Sequence, residues 1–415
     1  MYDWANSAYS LIITSAIFPA YYTAIAPAKV QFIGRTYERS ALVSYAISFS
    51  FFIIAILSPI LSSIADYKGN KKAFMQFFCY LGSAACIGLT FLTKDNIPYG
   101  ITCAIIGSIG FCGSIVFYNS YLPDIAAEED QDRISAKGFA LGYVGSVLLM
   151  IVCLTFITLN DSMKMGWGAW PARLSFLAVG LWWAGFAQIT FRRLPPSIPS
   201  KQHPEHNVLV NGFYELKKVW NQLLHYPATK RFLRAFFFYN MGVQTVMYLA
   251  VYFASEELKL QSSQLILTVL IIQLVAIAGA LLFSRLSKAT NNVFTLSVII
   301  CIWIGICVFA YFIQTAFQFY GLAFCVGMVM GGIQSLSRST YSKLLPPTKD
   351  TASYFSFYDV CDKVGTVVGT LSFGYVAEKL GGMRNSVLAL MAFFIIGLIL
   401  LLLVRMKQTK ELVAA

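Results

Sequence analysis

The sequence predicts an all-α polytopic membrane protein with twelve transmembrane helices in two pseudo-symmetric six-helix bundles. Three observations predict it. Hydrophobic residues make up 58% of the 415, about 240 residues, and twelve spans of about 20 residues each require that many. Charged residues make up only 12%, against about 25% in a soluble fold, too few to build a water-facing surface. The apolar residues also fall into twelve separate runs, six on each side of a polar, proline-rich stretch. Disorder, collagen and disulfide-built secreted scaffolds are excluded by the same composition.

The runs lie near 4–26, 41–63, 73–93, 98–122, 137–158, 171–190, 232–254, 264–284, 293–313, 317–337, 353–376 and 385–404. No basic segment precedes the first, so a cleaved signal peptide is not expected. Asp3 and Trp4 stand where a helix should already be under way, which suggests a native start a few residues earlier. With the first terminus in the cytoplasm, inner loops carry 20 Lys and Arg and outer loops nine. That bias puts both termini inside, and an integral, multi-pass membrane protein is expected. The +12 net charge therefore reflects inner loops, and no nucleic-acid partner is expected. The nine cysteines all lie within apolar runs and read as small hydrophobes.

Residues 191–230 form the linker between domains 1–190 and 231–415. Within it, Phe213, Leu216, Val219, Trp220, Leu223 and Leu224 recur at helical spacing with Lys217 and Lys218 opposite. This pattern predicts a short amphipathic helix on the inner membrane surface. The halves echo each other: Tyr121-Leu122-Pro123 answers Leu344-Leu345-Pro346, Val144-Gly145-Ser146 answers Val364-Gly365-Thr366, and Tyr2-Asp3 answers Tyr239-Asn240. Duplicated six-helix halves are a transporter plan.

Ionic and amide groups within apolar runs are costly, so they carry the functional reading. Only Asp3, Asp359 and Asp362 of the 19 acids fall there. Asp359 and Lys363 are four apart and can pair on one helix face. Asp362 lies on an adjoining edge and needs a partner elsewhere, for which Arg338 is available. The group is either a structural ion network or a proton-coupling site that changes partners. In the first span, Asp3, Asn6 and Ser10 make a polar stripe with Ser7 beside it, serving either helix packing or a lined pathway. Tyr118 and Asn119 in span 4, Tyr239, Asn240 and Gln244 in span 7 and Gln334 in span 10 join Asn6 and Ser10 as candidate solute contacts. Gly138, Gly142 and Gly145, and Gly365 and Gly369, leave bare helix faces for close packing. His203 and His206 lack further ligands, no nucleotide loop, nucleophile elbow or zinc motif occurs, and no cofactor or metal is expected. The acidic run Glu128 to Asp132 reads as a solvated loop.

Residues 62–72, SSIADYKGNKK, resemble the loop motif of the major facilitator superfamily, with Asp66, Gly69 and Lys71 matching and Ser62 in place of the leading glycine. The resemblance implies that Asp66 sits beside a helix end of the other half and holds an inner gate. YDWANSAYS, YNSYLPDIA, RISAKGFALGYVGS, GGIQSLSRS and FYDVCDKVG occur in the order seen in the vacuole-effluxer family, the fungal autophagy-related amino acid effluxers and their bacterial relatives. That resemblance, from residue 2 to about 370, implies the twelve-helix major facilitator fold and, for fungal members, amino acid release from a storage compartment. Asp362 departs from the pattern, where small residues are more usual.

The expected function is secondary active transport of a small polar solute, an amino acid or related metabolite, by alternating access, with proton coupling as one means of driving it. Asp3, Asp66, Lys71, Arg338, Asp359, Asp362 and Lys363 are the candidate coupling and gating residues. The alternative is a lipid or lysolipid transporter of the same fold. An enzyme is not expected, because no span carries a histidine or a nucleophile–base pair. The expected partners are a small-molecule solute and the bilayer, with the chain acting as a monomer.

Overall fold

The structure, a computed structural model, describes residues 1–163, 166–197, 208–380 and 382–404. Lys164, the His203 and His206 pair and the basic tail (Arg405, Lys407, Lys410) lie outside the described residues. Inside lipid every backbone amide must be satisfied within its own segment, so apolar runs of this length become helices. Among the described residues the twelve apolar runs become twelve long helices: α1 Tyr2–Ile25, α2 Arg39–Lys68, α3 Lys71–Leu89, α4 Ile97–Asn119, α5 Gln131–Met163, α6 Trp170–Arg193, α7 Pro227–Glu257, α8 Ser262–Ala289, α9 Asn292–Phe312, α10 Ala316–Lys343, α11 Thr351–Leu380 and α12 Met383–Leu402. Ten are long and apolar enough to cross a membrane by length and composition; α7 and α11 are not among them. Those two carry the charged and amide residues described below.

Local chemistry shapes several of these elements. Between Tyr9 and Ala16, α1 loosens to π winding, and the Ser15 hydroxyl donates to the Ser10 carbonyl five residues back at 3.0 Å. Pro59 lies inside α2 and removes one backbone donor there. Between α1 and α2, strands β1 Lys29–Phe32 and β2 Arg35–Glu38 pair antiparallel, an element the sequence reading did not contain. Their two-residue turn places Ile33 and Gly34 at φ of 47° and 71°, the double positive-φ geometry that matches strand twist. The linker helix, Val208–His225, covers the predicted amphipathic segment. It buries Val219 and Leu223 and exposes Tyr214, Trp220 and Leu224.

The chain forms two compact units. One comprises Met1–Leu57, Asn70–Tyr118 and Leu141–Pro196; the other comprises Ser58–Gly69, Asn119–Ala140 and Ser197–Ala415. In the first, Tyr9 stacks on Phe111 at 4.9 Å and meets Trp183 at 5.6 Å. Trp4 stacks on Trp182 at 5.6 Å, whose indole N–H donates to the Trp4 carbonyl at 3.0 Å. In the second, α8 and α10 approach backbone to backbone. A Cβ at Gly327 would lie 2.6 Å from the Ile272 carbonyl oxygen, and one at Gly331 would strike Ala276. Lipid tails are as apolar as leucine, so such close packing, rather than hydrophobic expulsion, holds membrane helices together.

Candidate functional site

In the first unit the polar stripe of α1 turns toward α4 and α5. Asp3 is buried and accepts a hydrogen bond from the Tyr118 hydroxyl of α4. A Cβ added to Gly142 of α5 would run into the Ser7 hydroxyl and approach the Asp3 carbonyl oxygen to 3.1 Å; one at Gly145 would meet the Trp4 carbonyl at 2.9 Å. The bare face of α5 is thus the seat of α1. Asn6 is buried beside it, and Ser10 and Tyr118 are half-buried.

The second unit repeats this contact with the acid moved. Asp362 of α11 accepts from the Asn240 side-chain amide at 2.7 Å and from the Gln244 amide at 2.8 Å, both on α7 and both onto Oδ1. Its other oxygen takes Lys363 Nζ at 2.6 Å. Lys363 also lies 3.7 Å from Asp359. Asp3 and Ser7 meeting Gly142 in one unit thus answer Asn240 and Gln244 meeting Asp362 in the other. In the first unit the carboxylate rides on α1, in the second on α11. Below the cluster, Gly369 seats α7: a Cβ there would strike the Thr245 hydroxyl and lie 2.8 Å from the Met241 carbonyl oxygen.

One pairing differs from that read in the sequence: Asp362 is held by α7 amides and by its own neighbour Lys363, not by Arg338. The Asp359–Lys363 pair read in the sequence is present at 3.7 Å, with Lys363 closer still to Asp362. Arg338 is committed elsewhere: Nε donates to the Ser135 hydroxyl at 2.9 Å, Nη2 to the Ser135 carbonyl at 3.0 Å and Nη1 to Asn119 Oδ1 at 3.2 Å. Its guanidinium sits 4.4 Å above the Phe139 ring. A planar fork reaches three acceptors where an ammonium serves as one point charge. Tyr239 is fully buried and its hydroxyl lies 2.7 Å from the Ser337 hydroxyl. Gln334 is half-buried on α10, one turn before Arg338.

Asp66, at the end of α2, lies at the N-terminus of α11. Its carboxylate accepts the Ala352 N–H at 3.2 Å, the Ser353 N–H at 2.7 Å and the Ser353 hydroxyl at 2.8 Å. These amides have no partner within their own helix, and the helix dipole favours an anion there. Lys71 is buried at the start of α3.

Asp132, which the sequence pattern places in a solvated acidic run, is instead 4% exposed in the first turn of α5. It accepts from Lys343 Nζ at 2.6 Å, the Asn292 amide at 2.8 Å and the Ser287 hydroxyl at 3.0 Å. Its neighbours in the run remain outside: Asp130 pairs with exposed Arg133. The available signal was position, since an acid that opens a helix after a short turn has a dipole to complete. Among the described residues, no group of three or more His, Cys, Asp or Glu is placed to hold a metal ion.

The long apolar helices mark a polytopic membrane protein, and the likeness to solved proteins gives its fold. The structure matches FucP, a major facilitator superfamily transporter solved in the outward conformation, with a TM-score of 0.73 at 14% identity over 97% of this chain and 96% of that one. The protein is an integral, multi-pass membrane protein of the major facilitator fold. The model of the Atg22-like vacuole effluxer family matches residues 1–413, and the chain belongs to that family of transporters. It is 34% identical to the MFS-type transporter YxiO of Bacillus subtilis (strain 168), over 97% of this chain and 92% of the relative. It is 24% identical to autophagy-related protein 22-1 of Aspergillus fumigatus, over 92% and 77% respectively.

Proposed function

We propose that the protein is a secondary active transporter that moves a small polar solute, an amino acid or a related metabolite, across a bacterial cytoplasmic membrane by alternating access. The observation that carries this reading is the Asp359–Asp362–Lys363 cluster. Two carboxylates share one ammonium within 3.7 Å, and the two helices that supply the cluster and its amides are not among the ten long and apolar enough to cross a membrane. Such a group holds one negative charge in excess, which is costly at membrane depth. A proton, or the ammonium of an amino acid, neutralises it. Lys363 can turn from Asp362 to Asp359 as that charge comes and goes. Asn240 and Gln244 report the change to α7. Asn6, Ser10, Tyr118, Asn119, Tyr239 and Gln334 supply further amide and hydroxyl groups on α1, α4, α7 and α10 for a polar solute.

Residues 1–190 and 231–415 are the moving halves in this reading, joined by 191–230. The loop-charge bias supports both termini in the cytoplasm. The resemblance to the fungal amino acid effluxers supports amino acids as the first substrates to test. One apolar cavity of about 50 Å³ lies in the second unit among α7 to α12, lined by Leu249, Phe253, Phe319 and Leu390 among others. It has room for one or two water-sized groups.

Purified protein in proteoliposomes, given tritiated amino acids and an imposed pH gradient, tests the proposal. Gradient-driven uptake by the wild type, lost in Asp362→Asn, is the expected result. Unchanged pH-dependent uptake in both Asp359→Asn and Asp362→Asn removes the cluster from coupling. Lipid scrambling without soluble-solute uptake replaces the substrate class.

A further inference from the structure

The positions around Asp66 and Asp132 are related by one register. Asp66 and Ser287 are 221 positions apart, as are Lys71 and Asn292, and as are Asp132 and Ser353. These positions are also structurally equivalent: the ends of α2 and α8, the starts of α3 and α9, and the first turns of α5 and α11. The end of α2 bonds the start of α11 through the Ser353 hydroxyl donating to Asp66 at 2.8 Å. The end of α8 bonds the start of α5 through the Ser287 hydroxyl donating to Asp132 at 3.0 Å. The same two repeat positions are thus joined twice by the same serine–carboxylate bond, with donor and acceptor exchanged. All four side chains are buried.

Helix electrostatics explains why the exchange is permitted. The anion must lie at the positive N-terminus of α5 or α11. It can come from the helix's own first turn, as Asp132 does, or from the loop-side end of α2, as Asp66 does. Either choice leaves one carboxylate and one hydroxyl in each contact. Asp132 adds the Lys343 ion pair at 2.6 Å and the Asn292 amide.

We propose that Asp132 is a gating residue of the transport cycle, the repeat partner of Asp66, and that the two contacts are paired latches that open together. The proposal rests on the alternating-access reading above, but its test needs no substrate. Opening must part residues 58–69 and 119–140 from the helices of residues 197–415, which all group in one unit in this structure. Asp132 touches no solute; it sets how long this closed arrangement persists.

Spin-label distances measure both latches. Labels at Lys68→Cys and Lys349→Cys report the first latch, and labels at Arg133→Cys and Lys288→Cys report the second; all four side chains are exposed. The background replaces exposed Cys301 and Cys325 and half-exposed Cys361 with serine. Asp132→Ser is expected to shift both distance distributions toward longer values. The exchange variant Asp132→Ser with Ser287→Asp rebuilds at the second latch the arrangement found at the first, and is expected to restore both short distances. Asp66→Ser with Ser353→Asp does the same in reverse. If Asp132→Ser lengthens only the Arg133–Lys288 pair, Asp132 is a local structural contact and the coupling is refuted. If an exchange variant keeps the wild-type melting temperature yet stays long at both pairs, the equivalence of the latches is refuted. Normal uptake dependence on Asp362 alongside either negative result leaves the transport reading intact.

Discussion

Replacing Asp362 with asparagine removes one charge and almost no volume, so its effect isolates the electrostatics of the cluster. The new carbonyl oxygen keeps the Asn240 and Gln244 amides now held at 2.7 and 2.8 Å. The new amide group faces the Lys363 ammonium, donor against donor, where a 2.6 Å bond stood. Losing a hydrogen bond to a charged group costs about 1.5–3 kcal/mol. Lys363 has a fallback in Asp359, 3.7 Å away, whose Oδ2 is buried without a hydrogen-bond partner. Asp362→Asn should therefore fall at the low end of that range, and Asp359→Asn should cost less still because the 2.6 Å bond survives. Removing both acids strands a buried ammonium, a loss of about 3–5 kcal/mol. The double variant should thus exceed the sum of the singles, with a coupling of about 0.5–3 kcal/mol. Reversible unfolding of purified protein in mixed micelles, titrated with SDS, reads all three values. A double variant equal to the sum within about 0.5 kcal/mol refutes the shared-lysine account.

Three further substitutions test the packing and the guanidinium clamp. Gly369→Leu should destabilise by about 1–3 kcal/mol through overpacking against Thr245 and Met241, while Gly374→Ala, which meets nothing within 4 Å on the same helix, should be neutral or slightly stabilising; equal melting shifts would show that the α7–α11 contact does not set the difference. Arg338→Lys keeps the charge but cannot span Ser135 and Asn119 together, so a loss of about 2 kcal/mol is expected, and a wild-type denaturation midpoint would show the fork to be dispensable.

Much of the architecture was legible along the chain because lipid leaves few choices. Runs such as 264–284 and 385–404 had to be helices; α8 covers the first and α12 all but the last two residues of the second. The Asp66 motif and the polar residues of α7 and α11 stood out because so little else there is polar. Partner identity was less legible. Arg338 was the cation available for Asp362 by composition, yet its reach goes to Ser135 and Asn119. Asp132 was hidden by its neighbours: four acids within five residues look alike in sequence, and only the fold buries one of them. The π winding of α1 had no sequence signal, because hydrogen-bond slippage by one residue leaves the apolar pattern of YSLIITSA unchanged.

Composition and spacing by themselves determined that this protein lives in a membrane and keeps a few charges where charges are expensive. The reason is energetic: a nonpolar solvent selects helices and penalises each exception, so the exceptions can be read one residue at a time. Tertiary structure alone decided which exceptions neutralise one another, placing Lys363 on Asp362, Lys343 on Asp132 and Arg338 on a serine and an asparagine. Ion pairing depends on separations of a few ångströms between helices distant in the chain, and one-dimensional periodicity carries no information about that distance.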